Sequence, residues 1–375
     1  MSDLKISVVV PYRDRADNLR LALAALADQT MRADEFEVVV GVVDDDQVDS
    51  VDFADVCREF AGRLDIVSVR SSRPWQVGYA RNLALRQASG EIVVLMDVDM
   101  ALPPGCLAGL YDRHFAYGQR ICVVGQMIDY DNNTGDVASV EVQPYEHYRK
   151  VLADLEVTGT GDQDPRMSAE HVIPWSFAWT ALIALPRAVL TEHDLWFDPG
   201  FHGYGVEDLE WAYRVGRTGT PIVMGRDFFG VHLPHVRDVA ANRLSEGPNY
   251  RYFLRKWPGM DVELACAFGD FEANERYPEL RRAVEAAAAG HGGRLFVVHL
   301  RFEDRGELEV GVLGGTVAAR PATATNMEIL PLVGLALPFR DGSIDRCRVH
   351  GAITELPAVY RERVLAEVRR VSVEA

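Results

Sequence analysis

The sequence predicts an α/β protein whose mostly parallel sheet is flanked by helices and is followed by a small C-terminal α/β appendage. Apolar, β-branched runs alternate with helices of roughly 10 to 15 residues over about the first hundred positions. This alternation is typical of parallel strands joined by right-handed crossovers. A glycine-rich break at 290–293 then precedes a second, shorter set of strands and one more helix.

The first strand is predicted at 6–10, where Pro11 ends it, and a helix follows near 18–27 because leucines recur there at helical spacing. The next predicted elements are a strand at 36–43, a helix at 52–62, a strand at 64–69, a helix at 78–88 and a strand at 91–96. We therefore expect residues 1–100 to form a nucleotide-binding half of Rossmann type.

The pattern changes after this half, where isolated strands and long polar or aromatic segments are typical of binding loops. Helices are predicted at 205–218, 238–256 and 278–289. The predicted domains are 1–289, made of halves at about 1–100 and 101–256 with a helical extension at about 257–289, and an appendage at 290–375. Strands at 295–300 and 308–312 and a helix near 358–371 are expected in the appendage.

Composition and charge exclude several classes of partner. The formal net charge of -17 in 375 residues repels nucleic acid and anionic lipid surfaces, so a bound phosphate must be met locally by a metal, arginines or amides. The five cysteines are dispersed without a C-x-x-C pair, which favours reduced thiols and a cytoplasmic location. No stretch approaches the ~20 apolar residues of a membrane span, and no leader is expected.

The pair Asp97 and Asp99, separated by Val98, directly follows the predicted strand at 91–96. The carboxyl edge of such a sheet is where ligands bind, and two carboxylates one residue apart can share a divalent cation that holds a diphosphate. A solvated loop is the alternative. We expect Asp99 to bind Mn²⁺ or Mg²⁺ directly and Asp97 to reach the ribose, or the metal through water.

Further polar residues follow other strands at the same edge. Asp44 and Asp45 can accept hydrogen bonds from a base, or can form a turn or helix cap. Pro11 is followed by Tyr12, which can pack on a base, and by Arg13, which can contact a phosphate. Arg81, near the start of the helix at 78–88, can hold an anion or can lie on the surface.

The acidic pair Glu207 and Asp208 lies between glycines and aromatic residues at the start of a helix. A carboxylate there can be a general base towards an acceptor hydroxyl, whereas on spacing alone ordinary complementarity to the helix dipole is the favoured explanation. His232 and His235 follow a predicted strand, where either imidazole can complete the metal site or be structural. Trp175, Trp179, Trp196 and Tyr204 can form an aromatic wall for a sugar or acceptor, or belong to the core.

Taken in order, five segments resemble a glycosyltransferase of the GT-A fold, family 2, over roughly residues 5–256. These segments are 8–13, 42–45, 78–82, 97–99 and 205–210, and residues 197–214 are similar to the acceptor-side region of galactosyltransferases and polypeptide N-acetylgalactosaminyltransferases. The resemblance places Pro11, Arg13 and Asp44 or Asp45 near the nucleoside, Arg81 near the diphosphate, and Asp97, Asp99 and His232 at the metal, with Asp208 as the base. The chain departs from the family pattern at two points. Asp46-Gln47 stands where Gly-Ser is usual, and His235 competes with His232 as the metal-binding histidine.

The resemblance implies transfer of a hexose or N-acetylhexosamine from a nucleotide sugar, for which we predict UDP, to a soluble acceptor such as a small metabolite, glycan or peptide. Inversion is expected, with Glu207 beside the acceptor. Retaining transfer, or a non-catalytic sugar-nucleotide-binding scaffold, are the alternatives. Nucleotidyl transfer is disfavoured because no glycine-rich phosphate loop follows the first strand. The alanine-, arginine- and valine-rich composition hints at bacterial specialised metabolism.

The C-terminal segment carries a second resemblance. Residues 337–345, 356–357 and 361–371 resemble the late part of a class I S-adenosylmethionine-dependent methyltransferase. No Gly-x-Gly-x-Gly loop precedes them, so a complete cofactor site is not expected. We interpret the segment as a degenerate remnant that serves packing, homodimer formation or acceptor docking.

Overall fold

The computed structural model describes residues 4–43, 50–129, 137, 140 and 142–373. The chain forms two compact units. The first comprises residues 1–169 and 174–245, and the second comprises residues 170–173 and 246–375. The five cysteines form no disulfide. Within the described ranges, no helix is both long enough and apolar enough to cross a membrane.

The first unit alternates strands and helices from its N-terminus, as the sequence predicts. Its first elements are β1 (Ile6–Tyr12), α1 (Ala16–Ala27), β2 (Phe36–Val43), α2 (Ser50–Phe60), β3 (Ile66–Ser71), α3 (Val77–Leu85) and β4 (Ile92–Met96). These are followed by β5 (Met100–Ala101), α4 (Cys106–His114), β6 (Cys122–Ile128), α5 (Tyr145–Thr158), β7 (Leu182–Pro186), α6 (Arg187–Glu192), α7 (Glu207–Arg217) and β8 (Ile222–His232). Helix α8 (Val239–Lys256) begins in the first unit and ends in the second.

The described strands of the first unit form one eight-stranded sheet in the order β3-β2-β1-β4-β7-β6-β8-β5. Strands β1 to β4 pair in parallel, as do β6 and β8, whereas β7 is antiparallel to both β4 and β6, and β5 is antiparallel to β8. The predicted α/β class with helices flanking a sheet is confirmed. The antiparallel β7 makes the second half of the sheet mixed.

Two features of this sheet set the positions of the site residues. The carboxyl ends of β1, β2 and β4 share one edge, and Met100 pairs with His232, which brings the end of β8 to the residues that follow β4. Gly41 allows helix α3 to approach β2 closely, because a Cβ at this position would lie 2.0 Å from the Ala80 carbonyl oxygen. That approach fixes the height of Arg81 above the sheet.

The second unit contains a four-stranded sheet and most of the C-terminal helices. Its elements are α9 (Met260–Phe268), α10 (Asp270–Ala287), β9 (Leu295–Arg301), β10 (Gly306–Leu313), β11 (Asn326–Leu330), β12 (Arg346–Val349) and α11 (Ala358–Val371). The strand order is β11-β9-β10-β12, with β9 antiparallel to its two neighbours and β10 parallel to β12.

The division between the units falls at residues 245/246, earlier than the boundary expected near 290. Helix α9 belongs with the C-terminal strands because its buried Glu263 accepts hydrogen bonds from the backbone amides of Val333, Gly334 and Leu335, at 2.6 to 2.8 Å. Helix α10 also starts eight residues before the predicted helix, since it continues through Pro278. The glycine break at 290–293 therefore lies inside the second unit.

Candidate active site

The Asp-Val-Asp segment leaves the end of β4 with its two carboxylates in different environments. The Asp99 side chain is 4% exposed and the Asp97 side chain is 31% exposed, while Val98 is buried. The Leu233 amide donates to the Asp99 carbonyl oxygen at 2.7 Å. This backbone contact ties the segment to the end of β8, so a solvated loop does not describe Asp99.

Asp99 faces two histidines. Its Oδ1 lies 3.7 Å from His232 Nε2, and its Oδ2 lies 3.2 Å from His235 Nδ1. One ligand atom from each of the three residues can be chosen so that all lie within 4.8 Å of one another. The structure therefore assembles Asp99 with both histidines, whereas the sequence predicted Asp99 with His232 and Asp97 and left His235 as a competitor.

The electrostatics of this cluster suit a divalent cation. Oδ1 of Asp99 is buried and accepts no hydrogen bond from the part of the chain that the structure describes. Burial raises the pKa of Asp99, but the electrostatic effects of His232 and Arg15 outweigh it and hold the pKa below its usual range. Burial lowers the pKa of His235, and Arg15 and His232 lower it further against the opposing charge of Asp99, so this imidazole is neutral at pH 7 and keeps a lone pair.

A carboxylate and two imidazoles are ligands that Mn²⁺ accepts, so the residues present fit such a metal. Arg15 also contacts this site, because its guanidinium forms an ion pair with Asp99 Oδ2. No local pattern indicates a role for Arg15, which lies 84 positions from Asp99 along the chain. Arg15 thus occupies Oδ2 and leaves Oδ1 of the same carboxylate without a hydrogen-bond partner among the described residues.

Asp97 turns away from the histidines towards Arg81. Arg81 Nη2 donates to Asp97 Oδ1 at 2.9 Å, and Arg81 Nη1 donates to Glu207 Oε1, also at 2.9 Å. The Arg81 side chain is 5% exposed, which rules out the surface location that the sequence left open. Burial lowers the pKa of Arg81, but Asp97, Glu207 and Asp208 raise it more, so the pKa lies above its usual range and Arg81 stays charged.

Helix α7 starts from a backbone in an unusual conformation. Gly203 and Gly205 have φ angles of 74° and 85°, and Val206, which precedes the helix, has a φ of 76°. A β-branched residue at positive φ is strained, and such strain is often found at functional sites. This turn places Glu207 inside, bonded to Arg81, and leaves Asp208 half-buried. Of the predicted pair, Asp208 is thus the more accessible carboxylate.

The predicted aromatic wall is not one contiguous surface in the contacts described. Trp175 is buried and meets Tyr213 edge-on at 5.6 Å. Trp179 is half-buried beneath Arg166, whose guanidinium lies 4.5 Å from the ring centroid. Tyr204 is 49% exposed, which makes it the most exposed of the four aromatic residues predicted for this wall.

On the nucleoside side, the structure differs from the prediction at Tyr12. Pro11 and Tyr12 are buried, and the Tyr12 ring lies 5.0 Å from the Phe53 ring, so no face of it is open to a base. Arg13 is exposed and lies over Trp75, 5.7 Å from its ring centroid. The predicted contacts Asp44 and Asp45 lie outside the described residues.

Asn82 also supports the site, although the sequence patterns assign it no role. The Asn82 amide exchanges two hydrogen bonds of 2.8 Å with the backbone of Phe197, which joins α3 to the segment preceding α7. Asn82 stands beside Arg81 in the segment 78–82, but no local pattern indicates a partner 115 residues away. The Asn82 amide therefore supports the same junction as the Arg81 guanidinium.

The N-terminal part of the chain matches the model of a known family. Residues 7–169 match the model of Glycosyl transferase family 2. This segment includes β2 to β4, most of β1 and the Asp97–Asp99 pair, and the α/β sheet flanked by helices agrees with the predicted GT-A fold. The matches give no support to the predicted methyltransferase likeness of the C-terminal segment.

Individual proteins are similar over part of their length. Validoxylamine A glucosyltransferase of Streptomyces hygroscopicus subsp. jinggangensis (strain 5008) is 32% identical over 276 residues, which are 70% of this chain and 63% of that protein. Chondroitin synthase of Escherichia coli is 28% identical over 57% of this chain and 32% of its own length. The structure of S. aureus TarS 1-349 in complex with UDP-GlcNAc matches 73% of each chain, with 18% identity and a TM-score of 0.47. The chain thus spans less than two thirds of these curated relatives.

Proposed function

We propose that this protein is a metal-dependent glycosyltransferase that moves a hexose from a nucleotide sugar, a UDP-sugar, to an acceptor nucleophile with inversion. The observation that carries the proposal is the buried cluster of Asp99, His232 and His235 at the carboxyl edge of the sheet. The family match over residues 7–169 and the 32% identity to a protein named for glucosyl transfer and validoxylamine A support it.

Asp99, His232 and His235 would hold the metal, and imidazole ligands favour Mn²⁺ over Mg²⁺ because Mg²⁺ prefers oxygen donors. Such a cation stabilises the negative charge that develops on a diphosphate leaving group. Without the cation, Arg15 partly neutralises Asp99, so we expect Arg15 to move when the metal binds. A freed Arg15 would then be available to the diphosphate.

Asp208 is the proposed general base. It lies half-buried in the first turn of α7, beside a carboxylate whose charge Arg81 already neutralises. As an ionised carboxylate, Asp208 can accept the proton of an acceptor hydroxyl as the oxygen attacks the anomeric carbon. Glu207 and Arg81 act as positioning residues, and the exposed Tyr204 offers a ring face to the acceptor.

A screen of nucleotide sugars by thermal shift, with and without Mn²⁺, tests the donor. A specific ligand raises the melting temperature by mass action, and a free concentration of a hundred times Kd adds about 2.7 kcal/mol. We expect one UDP-sugar to stabilise the protein only when Mn²⁺ is present. The donor assignment fails if every nucleotide sugar is inert with Mn²⁺ present.

Asp208→Asn tests the base. We expect sugar transfer to fall by about 10² to 10⁴, which is the usual contribution of general base catalysis, while the donor and Mn²⁺ still raise the melting temperature. Asp112→Asn, an exposed residue of α4, is the matched control and should turn over as the wild type does. Wild-type turnover in Asp208→Asn would remove Asp208 from the mechanism. Proton NMR of the product's anomeric centre distinguishes inversion from retention.

A further inference from the structure

The second unit contains a cavity of about 620 Å³ that the proposed function does not use. Its lining is basic and aromatic and includes Arg255, His299, Arg301, Arg305, Phe339 and Arg340. No carboxylate is among the lining residues in the part of the chain that the structure describes. Four arginines around one cavity stand out because the whole chain carries a net charge of -17.

The four arginines are not equally neutralised. Arg305 pairs with Glu307 at 2.8 Å and with Asp304 at 3.3 Å, and Arg255 lies 3.6 Å from Glu328. For Arg301 and Arg340, both exposed, no carboxylate lies within 4.0 Å among the residues described. Two positive charges at the cavity are therefore left without a counter-ion from the described protein.

The remaining walls are apolar or neutral. Phe339 is 6% exposed and meets the His299 ring at 4.7 Å, and Arg305 stacks 4.2 Å from the Phe302 ring centroid. Burial lowers the pKa of His299, and the charges of Arg301 and Arg255 lower it further against the opposing effect of Glu328, so His299 is neutral near pH 7. The cavity thus joins a positive rim to an aromatic interior.

We propose that this cavity binds an organic phosphate of metabolite size, with the phosphate on Arg301 and Arg340 and the body of the ligand against Phe339 and Phe302. The guanidinium fork matches phosphate oxygens in bidentate geometry, and a dianion balances two uncompensated arginines. A volume of about 620 Å³ falls within the range of small-molecule pockets and exceeds the needs of inorganic phosphate. All the residues that line this cavity belong to the second unit, whereas the residues proposed for sugar transfer belong to the first.

Isothermal titration of the full chain with phenyl phosphate tests this site. We expect saturable binding with a Kd below about 1 mM. Inorganic phosphate should bind more weakly because it lacks the ring, and phenol should not bind because it lacks the anion. Benzoate distinguishes a carboxylate from a phosphate site, and tighter binding of benzoate than of phenyl phosphate would overturn the phosphate assignment.

The variant Arg301→Gln/Arg340→Gln should weaken phenyl phosphate binding about tenfold or more, since it removes both charge-assisted contacts. Arg348→Gln/Arg369→Gln is the matched control, because it removes the same charge from exposed residues of the second unit that do not line the cavity. Equal loss in the control, or no saturable binding to the wild type, would overturn the proposal. The single variant Arg340→Gln supplies the same comparison if the double variant melts at a lower temperature.

Discussion

At the scale of single residues, the feature that matters most is a buried carboxylate whose neighbours are cationic or metal-binding groups. Asp99 is 4% exposed, and it has Arg15 and two imidazoles around it. Removing a carboxylate from water is unfavourable unless opposite charge or hydrogen bonds replace the lost hydration. Asp99 therefore needs compensating positive charge, which Arg15 supplies at Oδ2 and a bound cation would supply at Oδ1, which has no hydrogen-bond partner among the residues described.

The geometry predicts which variants lose Mn²⁺. Asp99→Asn and His235→Gln should each weaken Mn²⁺ binding about tenfold or more. Losing a residue that only hydrogen-bonds to a metal ligand typically lowers metal affinity about 10- to 100-fold, and losing a direct ligand should lower it at least as much. Asp97→Asn should weaken it much less, since Asp97 binds Arg81 in the structure. Electron paramagnetic resonance of free Mn²⁺ measures all three affinities. Equal losses in Asp97→Asn and Asp99→Asn would restore Asp97 as a direct ligand.

Single residues also show where sequence reasoning stops. The two-residue spacing after a buried strand was enough to select Asp97 and Asp99 as site candidates. It did not separate their roles, because the partner of Asp97 is Arg81 on another element and the partners of Asp99 come from β1–α1 and from the end of β8. Tyr12 was misjudged for the same reason, since its neighbour Phe53 lies 41 positions further along the chain.

A second buried carboxylate predicts a pH dependence of stability. Burial raises the pKa of Glu263 from its ordinary 4.5 to about 7, against the backbone amides of residues 333–336, which lower it. The folded state therefore binds this proton more tightly than the unfolded state. The stabilisation is complete below about pH 4.5 and is lost as the pH rises through 7, up to about 3 kcal/mol in all.

Urea unfolding at pH 5 and pH 8 checks this expectation. In Glu263→Gln the difference in unfolding free energy between the two pH values should shrink by about 2 kcal/mol relative to the wild type. The variant should also be less stable at pH 5, because the amide nitrogen cannot accept the hydrogen bond that the second carboxyl oxygen accepts from a backbone amide. Glu355→Gln, an exposed residue, should keep the wild-type pH dependence. An unaltered difference in Glu263→Gln would show that Glu263 does not titrate in this range.

At the scale of elements, the entry to α7 brings the acidic pair to the sheet. The Tyr204 amide donates to Ser245 Oγ at 2.8 Å, and Ser245 Oγ donates back to the Tyr204 carbonyl oxygen at 3.1 Å. Arg81 and Asn82 of α3 hold Glu207 and Phe197, on either side of this turn. The turn that carries Asp208 is therefore fixed from two elements, α3 and α8.

Gly203→Ala should destabilise the turn more than Gly205→Ala does. Both glycines have positive φ, so an alanine at either position costs about 1 kcal/mol in backbone strain. At Gly203 the new Cβ would also lie 2.6 Å from the Ser245 Cβ, whereas at Gly205 no atom lies within 4 Å among the described residues. In a Ser245→Gly background the extra cost should disappear, which a double-mutant cycle of unfolding free energies measures. Equal costs for the two glycines would show that the turn relaxes.

Elements with a strong local signal were predicted well, and those set by tertiary contacts were not. Strand 36–43 and helix 358–371 have the predicted bounds. A valine-rich run determines the strand, and an amphipathic pattern determines the helix. The antiparallel β7 was not predicted, since a short apolar run does not reveal strand direction. Pro278 suggested a helix start, although α10 tolerates it in its interior.

At the scale of the whole molecule, the two proposed ligands belong to different units. The metal cluster and Asp208 lie in the first unit, and the arginine-lined cavity lies in the second. The net charge of -17 gives neither phosphate ligand a general attraction to the protein, so each depends on its local cations. Charge and composition predicted this requirement, whereas the cavity depends on strands and loops that no local pattern brings together.

Hydrogen exchange locates each ligand in its unit. A ligand slows exchange at amides that open locally where it binds, while amides that exchange only through global unfolding respond to any ligand of the folded state. With Mn²⁺ and a UDP-sugar, we expect slower local exchange in the segments following β4 and β8, including the Leu233 amide that bonds to Asp99. Local exchange around residues 301–306 and 338–344 should be unchanged, and phenyl phosphate should give the opposite pattern.

The Asp99→Asn variant provides the control for this experiment, because it should lose the donor-dependent protection while keeping the protection due to phenyl phosphate. Donor-dependent protection confined to residues 301–306 and 338–344 would mean that the nucleotide sugar binds the arginine-lined cavity. That result would refute the assignment of donor binding to the first unit, even if the protein transfers sugar. Loss of both patterns in Asp99→Asn would instead place both ligands under the control of Asp99, and the cavity would not be an independent site.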